Sequence, residues 1–325
     1  MDVFVNILLL IVGFIALIKG ADLFVDGSSA LAKNFKVPGV IIGLTIVAMG
    51  TSAPELAVST SAAIKGANEI ALSNVTGSNI FNLLGVLGIC AMIHPLPIDK
   101  TIMKRDFPIS ILISILTLGA VGLPMLLNGS FSSASMADNV GEVSRPYSII
   151  LLILFVSYIA MLIISARKNP QEEETGELKP LWKCALLILI GLVCIIAGGQ
   201  FVVNSAKAIA SAFGMSETLI GLTIVAIGTS LPELVTSVVA SRKGENGLAV
   251  GNVVGSNIFN ILFILGISGA IHPITVNLAS VFDLAVLVIV SIITMIFART
   301  KNIGRAEGAV MVMLYAADVV FAVVR

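Results

Sequence analysis

The chain of 325 residues has little charge: 12% of its residues are Asp, Glu, Lys or Arg, against 57% hydrophobic residues and a mean hydropathy of +1.07. A water-soluble domain usually carries about a quarter charged residues. A cytosolic enzyme, a nucleic-acid binder and a disordered chain are therefore excluded, and a membrane protein remains. Nineteen basic and nineteen acidic residues cancel, so no anionic polymer is expected as a partner and only the distribution of charge along the chain can inform. Cysteine is scarce too. Cys90, Cys184 and Cys194 lie singly in apolar runs without metal-ligand spacing and read as small hydrophobes. The start, Met1-Asp2-Val3, has no basic residue ahead of its apolar run; it lacks the charged opening of a secretory signal and reads as a retained first helix.

A membrane span needs roughly 20 apolar residues. Such runs cover 3–20 (or on to 32), 40–64, 69–92, 108–127, 147–166, 183–203, 217–240, 247–271, 281–298 and 307–324. The expected fold is thus all-α and polytopic, with ten transmembrane helices in the lipid bilayer. The second, third, seventh and eighth runs carry Gly, Ser, Thr, Asn and one Glu or Pro in mid-run, which suits helices packed inside a bundle. Fourteen of the nineteen basic residues fall in alternate loops, among them Lys33, Lys36, Lys100, Lys104, Arg105, Arg167, Lys168, Arg242, Lys243, Arg299, Lys301 and Arg305. The positive-inside rule makes that side cytoplasmic. Both termini then face outward, across the plasma membrane.

The chain repeats itself. GLTIVAMGTSAPEL (43–56) returns as GLTIVAIGTSLPEL (221–234), and NVTGSNIFN (74–82) returns as NVVGSNIFN (252–260), both at an offset of 178 residues. Five spans separate equivalent positions, and an odd number of crossings turns the second copy upside down, as in many secondary transporters. The expected organisation is a first five-helix repeat over 1–166 with its core at 40–92. A cytoplasmic linker over 167–180 follows, then a second, inverted repeat over 181–325 with its core at 217–271.

Chemistry concentrates in those cores. Pro54 and Pro232 lack an amide hydrogen and clash with the carbonyl four residues back, so helices 2 and 7 should break near Gly50 and Gly228 and free backbone oxygens. In hydrocarbon such oxygens must line a cavity or coordinate something, and a carbonyl beside a carboxylate suits a hard cation. Glu55, Glu233 and Asp318 fall deep within spans, but only the glutamates are repeat-related. An ionised group there costs several kcal/mol unless paired or hydrated, and no Lys or Arg lies at matching depth. A bound cation is the natural partner. Thr51, Ser52 and Glu55 share one side of their helix, as do Thr229, Ser230 and Glu233. Asn74, Ser78 and Asn82 form a stripe at four-residue spacing, repeated by Asn252, Ser256 and Asn260; hydrogen-bond glue between helices is the alternative for Asn74, Asn79, Asn252 and Asn257.

These motifs resemble the two α-repeats of the sodium/calcium exchanger family, within the cation/calcium antiporters, in its short prokaryotic form. The resemblance implies an antiporter rather than an enzyme, moving Ca²⁺ against Na⁺ through one central cluster with no resident cofactor. It places the calcium ligands on Thr51, Glu55, Thr229 and Glu233. It places the sodium ligands on these and on Ala48, Ser52, Ser78, Asn82, Ala226, Ser230 and Ser256, the alanines through their carbonyls, with Asn260 in the same tier. It also implies that the long first and sixth helices move. Many members have aspartate where Asn260 stands, so stoichiometry is open here. Exchange for H⁺, or a requirement for K⁺, is the nearest alternative, since protons would also discharge the glutamates. An intramembrane hydrolase using Ser with His94 or His272 is disfavoured because both histidines fall at helix ends, and a passive channel would pass ions without a counter-ion. The sequence assigns no oligomeric state.

Overall fold

The computed structural model describes residues 3–66, 68–127, 135–168, 178–215 and 226–324. Most of the linker expected at 167–180, and residues 217–225 of the run expected at 217–240, lie outside the described residues. The chain is mostly helical, in the order α1 (Val3–Phe35), α2 (Gly39–Thr51), α3 (Ala53–Ile64), α4 (Ile70–Ile93), α5 (Ile102–Leu123), α6 (Arg145–Lys168) and α7 (Leu181–Ala212). It continues with α8 (Ala226–Thr229), α9 (Leu231–Arg242), α10 (Asn246–Ile271), α11 (Leu278–Ala298) and α12 (Arg305–Val324). Among the described residues eight of these are long and apolar enough to cross a membrane, or nine when α2 and α3, which meet at 49°, count as one bent span.

Composition sorts the helices into two shells. The polar-striped α4 and α10 are the buried ones, 78% and 94% of their most apolar stretch being covered, whereas α6 and α12 are 17% and 11% covered and present Ile and Val outward. α1 and α7 lie against each other along a seam of small residues spaced by seven: a Cβ on Gly13 would meet Gly198 O at 2.9 Å, and one on Gly20 would meet Gly191 O at 2.9 Å. Such close backbone approach is how helices associate where no hydrophobic force drives them together. α12 packs on α4 the same way, through Gly88 and Gly308. Two short antiparallel ladders tie the halves together: β1 (Leu96–Pro97) with β4 (Asn302–Ile303), and β2 (Asn139–Val143) with β3 (Ile274–Asn277).

Two sequence readings need correction. α5 begins at Ile102, six residues before the apolar run, so Arg105 and Asp106 belong to a helix and not to a loop. Asp106 is a buried acid that hydropathy missed. It accepts two bonds from the Arg105 guanidinium, at 2.9 and 3.0 Å, and one from the Tyr158 hydroxyl at 3.1 Å, the pairing that a carboxylate needs at such a place. Cys194 is only half-buried, unlike Cys90 and Cys184, because it lies on the outward-facing α7.

Candidate cation site

The prolines act as expected, two residues further on. Ser52 (φ −81°, ψ 11°) and Ser230 (φ −94°, ψ 8°) interrupt the helices, and Pro54 and Pro232 lie in the first turns of α3 and α9. Proline is tolerated there because those N–H groups have no intrahelical partner. The break sets Glu55 and Glu233 in the first turn of a new helix, where the helix dipole favours negative charge. The carbonyls before the first break are shared rather than freed: Ala48 O accepts the Ser52 N–H at 3.0 Å and the Ser256 hydroxyl at 3.4 Å.

Both glutamates are fully buried. Each is bonded by the serine of the opposite half. Ser52 donates to Glu233 Oε1 at 2.8 Å, and Ser230 donates to Glu55 Oε1 at 3.0 Å. The stripe residues complete the pairs, Ser78 donating to Glu55 Oε1 at 3.4 Å and Ser256 to Glu233 Oε1 at 3.5 Å. Behind them, Asn74 donates to Glu55 O and Ser59 Oγ at 3.2 and 2.9 Å, and Asn252 donates to Glu233 O and Ser237 Oγ at 3.4 and 3.0 Å. The Thr51 hydroxyl reaches Asn252 Oδ1 at 3.0 Å.

At the centre, the side-chain amides of Asn79 and Asn257 each donate to the other's backbone carbonyl at 3.2 Å. Asn82 donates to Asn257 Oδ1 at 3.1 Å, and Asn260 to Asn79 Oδ1 at 3.0 Å. Their amide nitrogens thus used, Asn82 and Asn260 turn their oxygens free. Both lie within wide π-helical turns, over Phe81–Val86 and Asn260–Leu265, a distortion that often marks functional positions.

Buried polar atoms normally have partners. Among the described residues Glu55 Oε2, Glu233 Oε2, Asn82 Oδ1, Asn260 Oδ1 and Thr229 Oγ1 have none. Four of these five are acceptors only: an electron-rich set that hydrogen-bond donors leave unfilled and a hard cation would satisfy. The structure thus brings together Thr51, Ser52, Glu55, Ser78, Glu233, Ser230 and Ser256, with Ala48 accepting from Ser256. Ala226 opens α8, one turn before Thr229. Asp318 is half-buried on α12, and His94 and His272 are exposed just past α4 and α10, each facing the carbonyl of its own following proline at 3.0 Å. Sequence reasoning passed over Ser59 and Ser237; the signal was a serine one turn after each glutamate, in both copies.

A multi-pass helical bundle with paired acids at its centre defines a membrane protein built around charge in hydrocarbon. The sequence profile described as sodium/calcium exchanger protein matches residues 5–164 and 183–324, and the chain belongs to that family. It is 34% identical to the sodium/calcium exchanger MaX1 of Methanosarcina acetivorans over 97% of this chain and 98% of that one. It is 35% identical to the inner membrane protein YrbG of Escherichia coli K12 over 93% and 92%. Its fold superposes on a solved structure of the sodium-calcium exchanger NCX_Mj, soaked with Na⁺ and Sr²⁺, at a TM-score of 0.81 with 32% identity, covering 98% of this chain and 99% of that one.

Proposed function

We propose that the chain is a secondary-active antiporter that exchanges Na⁺ for Ca²⁺ across the plasma membrane by alternating access, with Glu55 and Glu233 at the shared site. The observation that carries this is the pair of buried carboxylates whose second oxygens have no partner among the described residues. Two ionised glutamates give a charge of −2, which one Ca²⁺ or two Na⁺ neutralise. A third Na⁺ would rely on neutral oxygens, because Asn260 supplies no charge. Thr51 and Thr229 join the glutamates around Ca²⁺. Ala48, Ser52, Ser78, Asn82, Ala226, Ser230, Ser256 and Asn260 extend the cluster for Na⁺.

Antiport follows from electrostatics. An empty carrier would have to take two bare carboxylates through a dry state, which costs several kcal/mol per ion; a loaded one does not. Ca²⁺ and Na⁺ exclude each other because they claim the same oxygens. The framework is ten helices in two inverted repeats, over 1–166 and 181–325 on either side of the 167–180 linker, the bent pair α2 and α3 being matched by the run at 217–240. Both termini face outward. The moving body is α1 with α7, which the glycine seam holds as one unit outside the cluster.

The test is ⁴⁵Ca²⁺ uptake into proteoliposomes with the opposing gradient varied. Uptake driven by Na⁺ in the absence of K⁺ and of a pH gradient is the expected result. Uptake that follows pH and ignores Na⁺ would replace the proposal with Ca²⁺/H⁺ exchange, and a requirement for K⁺ would make the chain a K⁺-dependent exchanger.

A further inference from the structure

Away from the central cluster, a cavity of about 290 Å³ opens at one end of the bundle, between the start of α5 and the end of α11. Its floor is apolar, formed by the buried Ile98 and Ala298. Its walls carry four cations: Lys100 and Lys104 from the first half, Arg299 and Lys301 from the second. The β1·β4 ladder holds these two segments together, and the Ile98 N–H donates to Lys301 O at 2.9 Å. Among the described residues none of the four is ion-paired, whereas Arg105 and Lys243 are. The acid beside them, Asp99, accepts the Thr101 N–H at 2.6 Å. Four like charges around one hollow repel each other, and an anion seated among them relieves that repulsion.

The repeat shows that this basicity is particular to one end. The positions 178 residues away from Lys100, Lys104, Arg299 and Lys301 are Leu278, Phe282, Val121 and Leu123, all apolar. The cations do not come with the shared helical plan.

The surroundings favour a lipid over a free anion. The cavity sits where α5 and α11 reach their ends, at the polar edge of the hydrocarbon. On α11, Ile289, Ile292 and Ile296 are exposed on the face that leads to Arg299; on α5, Leu112 and Ile115 are exposed on the face that leads to Lys104. A free phosphate would use only the cations. A phospholipid would use the cations for its headgroup and both apolar stripes for its acyl chains.

We propose that this cavity binds the phosphate of an anionic phospholipid headgroup, with the acyl chains lying along α5 and α11. The proposal stands independently of the transport reading.

Thermal unfolding of the full chain in detergent tests it, with phosphatidylglycerol, phosphatidylcholine or inorganic phosphate added. Phosphatidylglycerol should raise Tm at concentrations well below those at which phosphatidylcholine acts. K100Q/K104Q and R299Q/K301Q should each raise its half-saturating concentration roughly twenty-five-fold, about fivefold for each cation removed, while K100R/K104R preserves it. Equal stabilisation by phosphatidylcholine, or unchanged half-saturation in both double variants, would overturn the proposal, and inorganic phosphate acting as well as phosphatidylglycerol would assign the cavity to a free anion instead. Should a Gln pair fail to fold, native mass spectrometry of the wild-type chain in mixed phosphatidylglycerol and phosphatidylcholine decides, retention of both lipids alike counting against the site.

Discussion

Asn74 and Asn252 do the same thing in the two halves of the molecule, and Gly77 and Gly255 do not. Each asparagine holds the backbone carbonyl of its glutamate and the serine one turn on. The glycines, identical in motif, part company. Gly255 is pressed against α2, where a Cβ would meet Leu44 Cα at 2.7 Å and Ala48 Cβ at 2.9 Å; Gly77 is exposed, with nothing within 4 Å among the described residues. The threonines differ in step. Thr51 is bonded to Asn252, whereas Thr229 has no partner among the described residues. Among the described residues the repeated sequence therefore supplies a symmetric frame behind the acids, while the contacts of Gly77 and Thr229 differ from those of Gly255 and Thr51; the segment equivalent to the one covering Gly255 falls largely within 216–225, outside the described residues.

Substitutions can break this comparison or sharpen it. The largest effect is expected where the halves agree: Glu55→Gln and Glu233→Gln should each bring Na⁺-driven Ca²⁺ uptake down to background in proteoliposomes, and a variant that transports normally would remove its acid from the site. Next comes the glycine pair. Gly255→Ala should destabilise the chain by about 1–3 kcal/mol through overpacking, while Gly77→Ala should be neutral or stabilise by up to about 1 kcal/mol through helix propensity. Denaturation in detergent reads both, and equal losses would show that the two faces are packed alike. The threonines follow. Thr51→Val should cost about 1–2 kcal/mol by leaving Asn252 Oδ1 unbonded, and Thr229→Val should cost less in stability because the hydroxyl it removes has no partner among the described residues, although both should weaken Ca²⁺ half-saturation in the uptake assay. Smallest of all, His94→Ala and His272→Ala should leave uptake within about twofold of wild type; abolition by either would reopen a chemistry that uses histidine.

Much of this was legible in the sequence because the motifs are polar where hydrocarbon penalises polarity. Glu55, Glu233 and the Asn and Ser stripes had to be explained by one another or by an ion, and the offset of 178 residues assigned them to matching places. Their partners were not legible. Helical spacing puts Ser52 on the side of Glu55, yet its hydroxyl bonds Glu233, since contact between halves depends on how the helices cross and not on distance along the chain. Asp106 escaped notice for another reason: next to Arg105 it reads as a charged loop, and only the helical turn beginning at Ile102 carries the pair into the packed interior. The break fell at Ser52 rather than Gly50 because proline sits comfortably in a first turn, so the chain bends just ahead of it.

The reciprocal bonds between Asn79 and Asn257 have one further consequence. Exchange the roles of the two segments and the pair looks the same, for each amide still finds the other's carbonyl. Such a link has no preferred side, and in the proposed cycle it would have nothing to rearrange, so it would serve there as a fulcrum about which the rest tilts.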